Sequence, residues 1–240
     1  DKIYAFTKHY KERNPFLGCR AIRFSLENEH LLRTQLRAIL RVSSYGNVKL
    51  MFPMITTVEE IFKAKEILED VKRQLDKEGI SYDREIPVGI MIEVPSAAIN
   101  SDIFAKYVDF FSVGTNDLVQ YLLAVDRISE KIAYLYNPLN LSVLRMLKHI
   151  SQVAAENNVE LSICGEMAGE PKYTMLLLGL GYRHLSMSSA FMYQIKRIVR
   201  AVTLEECETL VDELMKMENT YDIETTMLER VKEKFPNMIY

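Results

Sequence analysis

Five short apolar runs, at residues 48–55, 86–94, 108–113, 159–164 and 184–188, limit the folds open to this chain. They are rich in β-branched and aromatic residues and too short to be buried helices, so each reads as a strand. The run IPVGIMIEV at 86–94 is almost unbroken, the pattern of a parallel strand covered on both faces. Between the runs lie amphipathic stretches. Ile61, Ala64, Leu68, Val71 and Leu75 step by three and four, as do Leu144, Leu147, Ile150 and Ala154. The spacing also predicts helices over 31–42 and 171–178. Strands joined by connections of roughly 20 to 50 residues have room for crossover helices, so the sheet should be parallel. The expected fold is α/β, a TIM (β/α)8-type barrel. Five strands, with a doubtful sixth in the extended or turn segment at 16–24, are too few to close one. The chain also opens on Asp1-Lys2 in what reads as the middle of a domain. We expect a piece of a longer polypeptide whose barrel lacks its first strands.

Local signals mark the element ends. Ile3, Phe6 and Tyr10 suggest a helix over 1–13 that Asn14-Pro15 stops. Thr57-Val58-Glu59-Glu60 fits a capping box, and Gly79 should end the helix that follows. Breaks near Thr203 and Asn219 divide the last stretch, 191–235, into helices. No shift in composition marks a second domain, so residues 1–240 are expected to form one.

Composition excludes several classes. With 48% hydrophobic residues the chain can bury a core, and a net charge of −3 without a basic tract argues against nucleic acid. No apolar run approaches the length of a membrane span. Cys19, Cys164 and Cys207 are few, odd in number and far apart, which points to a reducing compartment, the cytoplasm, rather than a disulfide framework. His9, His30, His149 and His184 show no zinc-ligand spacing with them. Phosphate-binding glycine loops and a serine nucleophile elbow are missing.

The chemistry gathers at the carboxyl ends of the runs. VDFFSVGTNDLVQYLLAVDR, residues 108–127, opens as a buried strand and continues as a helix. Gly114-Thr115-Asn116-Asp117 reads as a turn where backbone can approach a ligand, or more plainly as a polar turn that caps the helix. The other runs end in Glu93 and in Cys164-Gly165-Glu166, with Arg20 and Arg127 in adjoining segments. In barrels such residues converge on one mouth. Glu93 and Asp117 could hold one Mg²⁺, which takes one or two carboxylates plus water and substrate phosphate. They could equally face Lys or Arg, and Glu93 could cap the next helix. Asn116 and the arginines could donate to phosphate or carboxylate oxygens. Cys164 could act as a general acid or nucleophile, or be a small core residue.

NPFLGCRAIR at 14–23, MFPMI at 51–55, GIMIEVPSAA at 89–98, DFFSVGTNDLVQYLLAVDR at 109–127 and CGEMAG at 164–169 occur in one order. Together they closely resemble the enzyme I family of the bacterial phosphoenolpyruvate-dependent sugar phosphotransferase system. Pyruvate phosphate dikinase and phosphoenolpyruvate synthase have similar motifs, but TNDLVQYLLAVDR is more like enzyme I. The resemblance implies the phosphoenolpyruvate-binding barrel domain, with Mg²⁺ on Glu93 and Asp117. Asn116, Asp117 and Arg127 would lie at the substrate, Arg20 at its phosphoryl group, and Cys164 would protonate the enolate to give pyruvate. It further implies a phosphorylated histidine on a separate upstream domain, a histidine-containing phosphocarrier protein as partner, and a homodimer. A dikinase or synthase barrel, or a non-catalytic dimerisation fragment, is the alternative. Two further arginines of the family have no counterpart here, and none of the four histidines fits the phosphorylated position. Cys19 stands where related sequences often carry an aromatic residue.

Overall fold

The structure, a computed structural model, describes residues 13–236, which divide into two compact units, one reaching to Val88 and the other starting at Gly89. The helix expected over 1–13 lies outside the described residues, apart from its last position.

The first unit opens with a 3-10 turn, Pro15–Leu17, and continues through α1 (Ile22–Glu27), α2 (Glu29–Ser43), β1 (Leu50–Phe52) and α3 (Val58–Lys77). The segment at 16–24, expected as extended or turn, is turn followed by helix. Pro15 occupies the start of the 3-10 turn, where its fixed φ and missing N–H cost nothing, and Ile22 is buried from α1. Leu32, Leu36 and Leu40 of α2 and Ile61, Ala64 and Leu68 of α3 are buried as the two helices pack together. Arg33 reaches from α2 to Asp70 of α3 at 2.9 Å. Glu60 accepts the Thr57 N–H at 3.0 Å in the expected capping box, and Gly79 follows α3 at φ +68°. The β1 strand is shorter than its apolar run because Pro53 has no N–H and Met54 turns left-handed, at φ 57°.

The second unit carries β2 (Val88–Ile92), α4 (Pro95–Ile99), α5 (Ser101–Phe104), β3 (Phe110–Gly114), α6 (Thr115–Leu123), α7 (Leu141–Glu156), β4 (Glu160–Cys164), α8 (Glu166–Gly169), α9 (Thr174–Gly179), β5 (His184–Leu185), α10 (Met192–Val199), α11 (Leu204–Leu214) and α12 (Thr220–Lys234). The last three helices are separated at Thr203 and Asn219, each of which caps the helix after it. Strands β2 to β5 pair in parallel in sequence order. All five apolar runs contain a strand; five strands among the described residues fall short of the eight of a closed barrel. No helix among the described residues is long and apolar enough to cross a membrane.

The register separates two faces. Ile90, Ile92, Phe111, Val113 and Ile163 point one way and are fully buried. Helix α7 packs against β4, α4, α5 and α6, burying Leu144, Leu147 and Ile150. Met91, Ser112 and Ser162 alternate with that apolar set, and so belong to the opposite face. The run 86–94, expected as a parallel strand covered on both faces, pairs in parallel with β3, and four of the five residues of β2 are buried.

Candidate active site

The second face carries the chemistry. Ile92 pairs with Val113 and Gly114 with Cys164, so Glu93, Gly114 and Cys164 end their strands side by side. Glu93 is buried, and a Cβ at Gly114 would fall 2.9 Å from its Oε2. Glycine at the end of β3 thus leaves room for the neighbouring carboxylate. The four residues 114–117 do not form the expected turn. Strand β3 passes straight into α6, capped by Gly114, and puts Asn116 and Asp117 in the helix's first turn. Asp117 is buried there, where the positive helix end favours a carboxylate. Helix α6 ends with Ala124 left-handed at φ 53°, which directs the chain back over the site. Buried Gln120 then accepts the Arg127 backbone N–H at 3.1 Å, and Arg127 Nη1 comes to 3.7 Å from Asp117 Oδ1. That is an ion pair at more than hydrogen-bond length.

The Cys164 thiol donates to the Val113 carbonyl at 3.5 Å and accepts from the Ser112 hydroxyl at 3.8 Å. Burial pushes the thiol above its ordinary range; the Ser112 hydrogen bond opposes this, and the charges of Glu93 and Asp117 add to it. Both carboxylates therefore act on the sulfur. Tyr136 donates to the Asn116 carbonyl at 3.3 Å. Its phenol is pushed up to about 12, first by burial, with Arg127 opposing and Glu166 and Asp117 assisting.

The fold brings together Glu93, Asn116, Asp117, Arg127 and Cys164. Arg20 lies in the first unit, its guanidinium 5.7 Å from the centre of the Phe16 ring. Two buried carboxylates at neighbouring strand ends form a hard-oxygen donor set that suits Mg²⁺. Among the described residues no group of three His, Cys, Asp or Glu could hold a metal ion. Any ion here would complete its shell with water or ligand oxygens.

Residues 1–204 match the family model described as PEP-utilising enzyme, PEP-binding domain. The chain belongs to the PEP-utilising enzyme family. Curated relatives agree. The chain is 44% identical over 235 residues to a phosphoenolpyruvate-protein phosphotransferase of Priestia megaterium, covering 98% of this chain and 40% of that protein. It is 43% identical to the proteins of that name from Haemophilus influenzae (99% of this chain, 41% of that one) and Bacillus subtilis (97% and 41%). The chain thus spans about two fifths of the length of these relatives. A solved citrate lyase from Burkholderia xenovorans has the same fold at TM-score 0.53 and 17% identity, over 87% of this chain and 70% of its own.

For this PEP-utilising domain, sequence reasoning missed Ser112, Thr115, Gln120 and Tyr136. Ser112 could have been found, as a polar residue inside an apolar run. The others act through contacts that no local pattern reveals.

Proposed function

We propose that this chain is the phosphoenolpyruvate-binding domain of a phosphoenolpyruvate-protein phosphotransferase. It would bind phosphoenolpyruvate and support transfer of its phosphoryl group to a histidine on a separate upstream domain, releasing pyruvate in the first step of sugar phosphotransferase transport. The observation that carries the reading is the cluster of two buried carboxylates, a guanidinium and a thiol at adjoining strand ends. The names and identities of the curated relatives supply the substrate.

In this reading Glu93 and Asp117 hold Mg²⁺. The ion, when bound, would offset negative charge on the phosphoryl and carboxylate oxygens of the substrate. Arg127 orients the substrate by charge-assisted hydrogen bonds, and its pairing with Asp117 holds the guanidinium near the site. Asn116 adds a carboxamide donor, and Arg20 is assigned to the phosphoryl group. As the phosphoryl group leaves, the remaining enolate takes a proton at carbon 3. Cys164 supplies it: the S–H bond breaks, the C–H bond of the pyruvate methyl group forms, and the thiolate is reprotonated from water. A thiol held above its ordinary pKa is protonated at neutral pH, as a donor must be. The partners are a histidine-containing phosphocarrier protein and a second copy of the protein, and the compartment is the cytoplasm.

Calorimetry of phosphoenolpyruvate binding to the full-length protein, with and without Mg²⁺, tests the site. Asp117→Ala should abolish most of the dependence on Mg²⁺. A dependence equal to that of the wild type would overturn the assignment.

A further inference from the structure

Cys164 stands where β4 gives way to α8, and the backbone there is unusual. Gly165 lies at φ +92°, a conformation that side-chain-bearing residues rarely adopt. A Cβ on it would also fall 2.4 Å from Thr115 Oγ1 and 2.7 Å from Asn116 Oδ1. The turn is therefore pressed against two side chains of the β3–α6 junction, and both bond to it. The Thr115 hydroxyl donates to the Cys164 carbonyl at 2.8 Å, and Asn116 Oδ1 accepts the Glu166 N–H at 2.9 Å.

The Thr115 bond is not one that its own helix needs, and the Asn116 bond supplies a cap that the turn cannot supply for itself. A threonine near a helix start ordinarily caps its own helix. Here the cap of α6 is Gly114, and the Thr115 hydroxyl, fully buried, reaches across to the neighbouring strand. The Glu166 N–H is one of the donors that a helix start leaves without an intrahelical acceptor, and the capping residue Gly165 has no side chain to offer. Because that N–H can only donate, the Asn116 oxygen must face it. The carboxamide nitrogen of Asn116 then points elsewhere. Asn116 can hold the turn and still present a donor to a ligand.

We infer that Thr115 and Asn116 clamp the Cys164–Gly165–Glu166 turn, and that Thr115 is a positioning residue for the Cys164 thiol. The positioning role rests on the proton-donor reading of Cys164 given above. Pulling the strand end away from Thr115 would swing the sulfur relative to the carbon it protonates, and small displacements of that kind are costly in rate.

Thr115→Val keeps the side-chain shape against Gly165 and removes only the hydroxyl, whereas Thr115→Ser keeps the hydroxyl. In the full-length protein, Thr115→Val should bind pyruvate within about twofold of wild type by calorimetry. It should exchange the pyruvate methyl protons at least about tenfold more slowly, and Thr115→Ser should recover most of that rate. Exchange by Thr115→Val at the wild-type rate would overturn the positioning role, and so would a valine defect that serine does not relieve. A wild-type protein that exchanges no methyl protons would instead refute the proton-donor reading, and the positioning role with it. The clamp itself is decided separately by amide hydrogen exchange. Glu166 should be protected in the wild type and should exchange about tenfold faster in Asn116→Ala. A Glu166 amide that exchanges at open-loop rate in the wild type would overturn the clamp.

Discussion

At Cys164 the surroundings and the chemistry agree. Burial disfavours the thiolate most strongly; the Ser112 hydrogen bond opposes it, and the carboxylates of Glu93 and Asp117 each add a smaller push in the same direction as burial. The folded-state pKa therefore lies above the ordinary value, and the thiol form persists where a free cysteine has begun to ionise. Alkylation by iodoacetamide, read residue by residue by mass spectrometry, should be slow at Cys164 until the pH passes well beyond about 8.5. Asp117→Asn, with one negative charge fewer, should move that rise to lower pH. Labelling as rapid at neutral pH as that of a free thiol would contradict the account. Gly165 is a second residue where conformation and space coincide. Gly165→Ala meets both a positive φ and two polar atoms under 3 Å, so it should slow the same proton exchange while leaving helical content unchanged by circular dichroism.

Among the elements of the second unit, α9 and α11 pack closely together. A Cβ at Gly179 would lie 2.1 Å from the Cys207 carbonyl oxygen, so the two helices meet through a bare glycine. Gly179→Ala must push them apart. It should cost about 1–3 kcal/mol by denaturant unfolding, despite the gain in helix propensity. Thr203→Ala, by contrast, removes one side of a capping box whose bonds are 2.8 and 3.2 Å, and should cost about 1 kcal/mol. An alanine at Gly179 that is neutral or stabilising would show that the helices can separate freely. Capping boxes of this kind are legible in a sequence, because the pattern is four residues long. The Gly179 contact is not, because it joins Gly179 to Cys207 through their backbones.

For the whole molecule, acid is the condition that should expose what holds the surface together. Asp70 is held below its ordinary pKa by its hydrogen bond to Arg33, Glu78 by Arg37, and Glu206 by Lys234. A carboxylate with a lowered folded-state pKa contributes stability that is present above its unfolded pKa and is lost as the pH falls through the folded one. Thermal stability should therefore be level through the neutral range and decline below about pH 4. Glu78 and Glu206 are exposed and Asp70 is half-buried, so high salt at neutral pH should shift the melting temperature only slightly. A large loss of stability between neutral pH and about pH 5 would have to come from other groups.

The five strand positions, the capping box at Thr57, the break at Thr203, and the placement of Glu93, Asp117 and Cys164 at or just past strand ends follow from short-range patterning. Periodicity and the first polar residue after an apolar run are properties of neighbouring residues, so one sequence displays them. The segment at 16–24 stayed open between strand and turn because a few mixed residues beside a proline suit an extended chain and a turn equally well. Residues 114–117 misled because small and polar residues serve a turn and a helix start alike. Only the tertiary structure decided which face of β2 to β4 is apolar and which carries the chemistry, because that depends on register between strands. It also assigned Thr115 to the Cys164 carbonyl, 49 positions away, and Tyr136 to the Asn116 carbonyl, 20 positions away. Such bonds form between groups that chain folding alone makes neighbours, and nothing in the spacing of the residues records them.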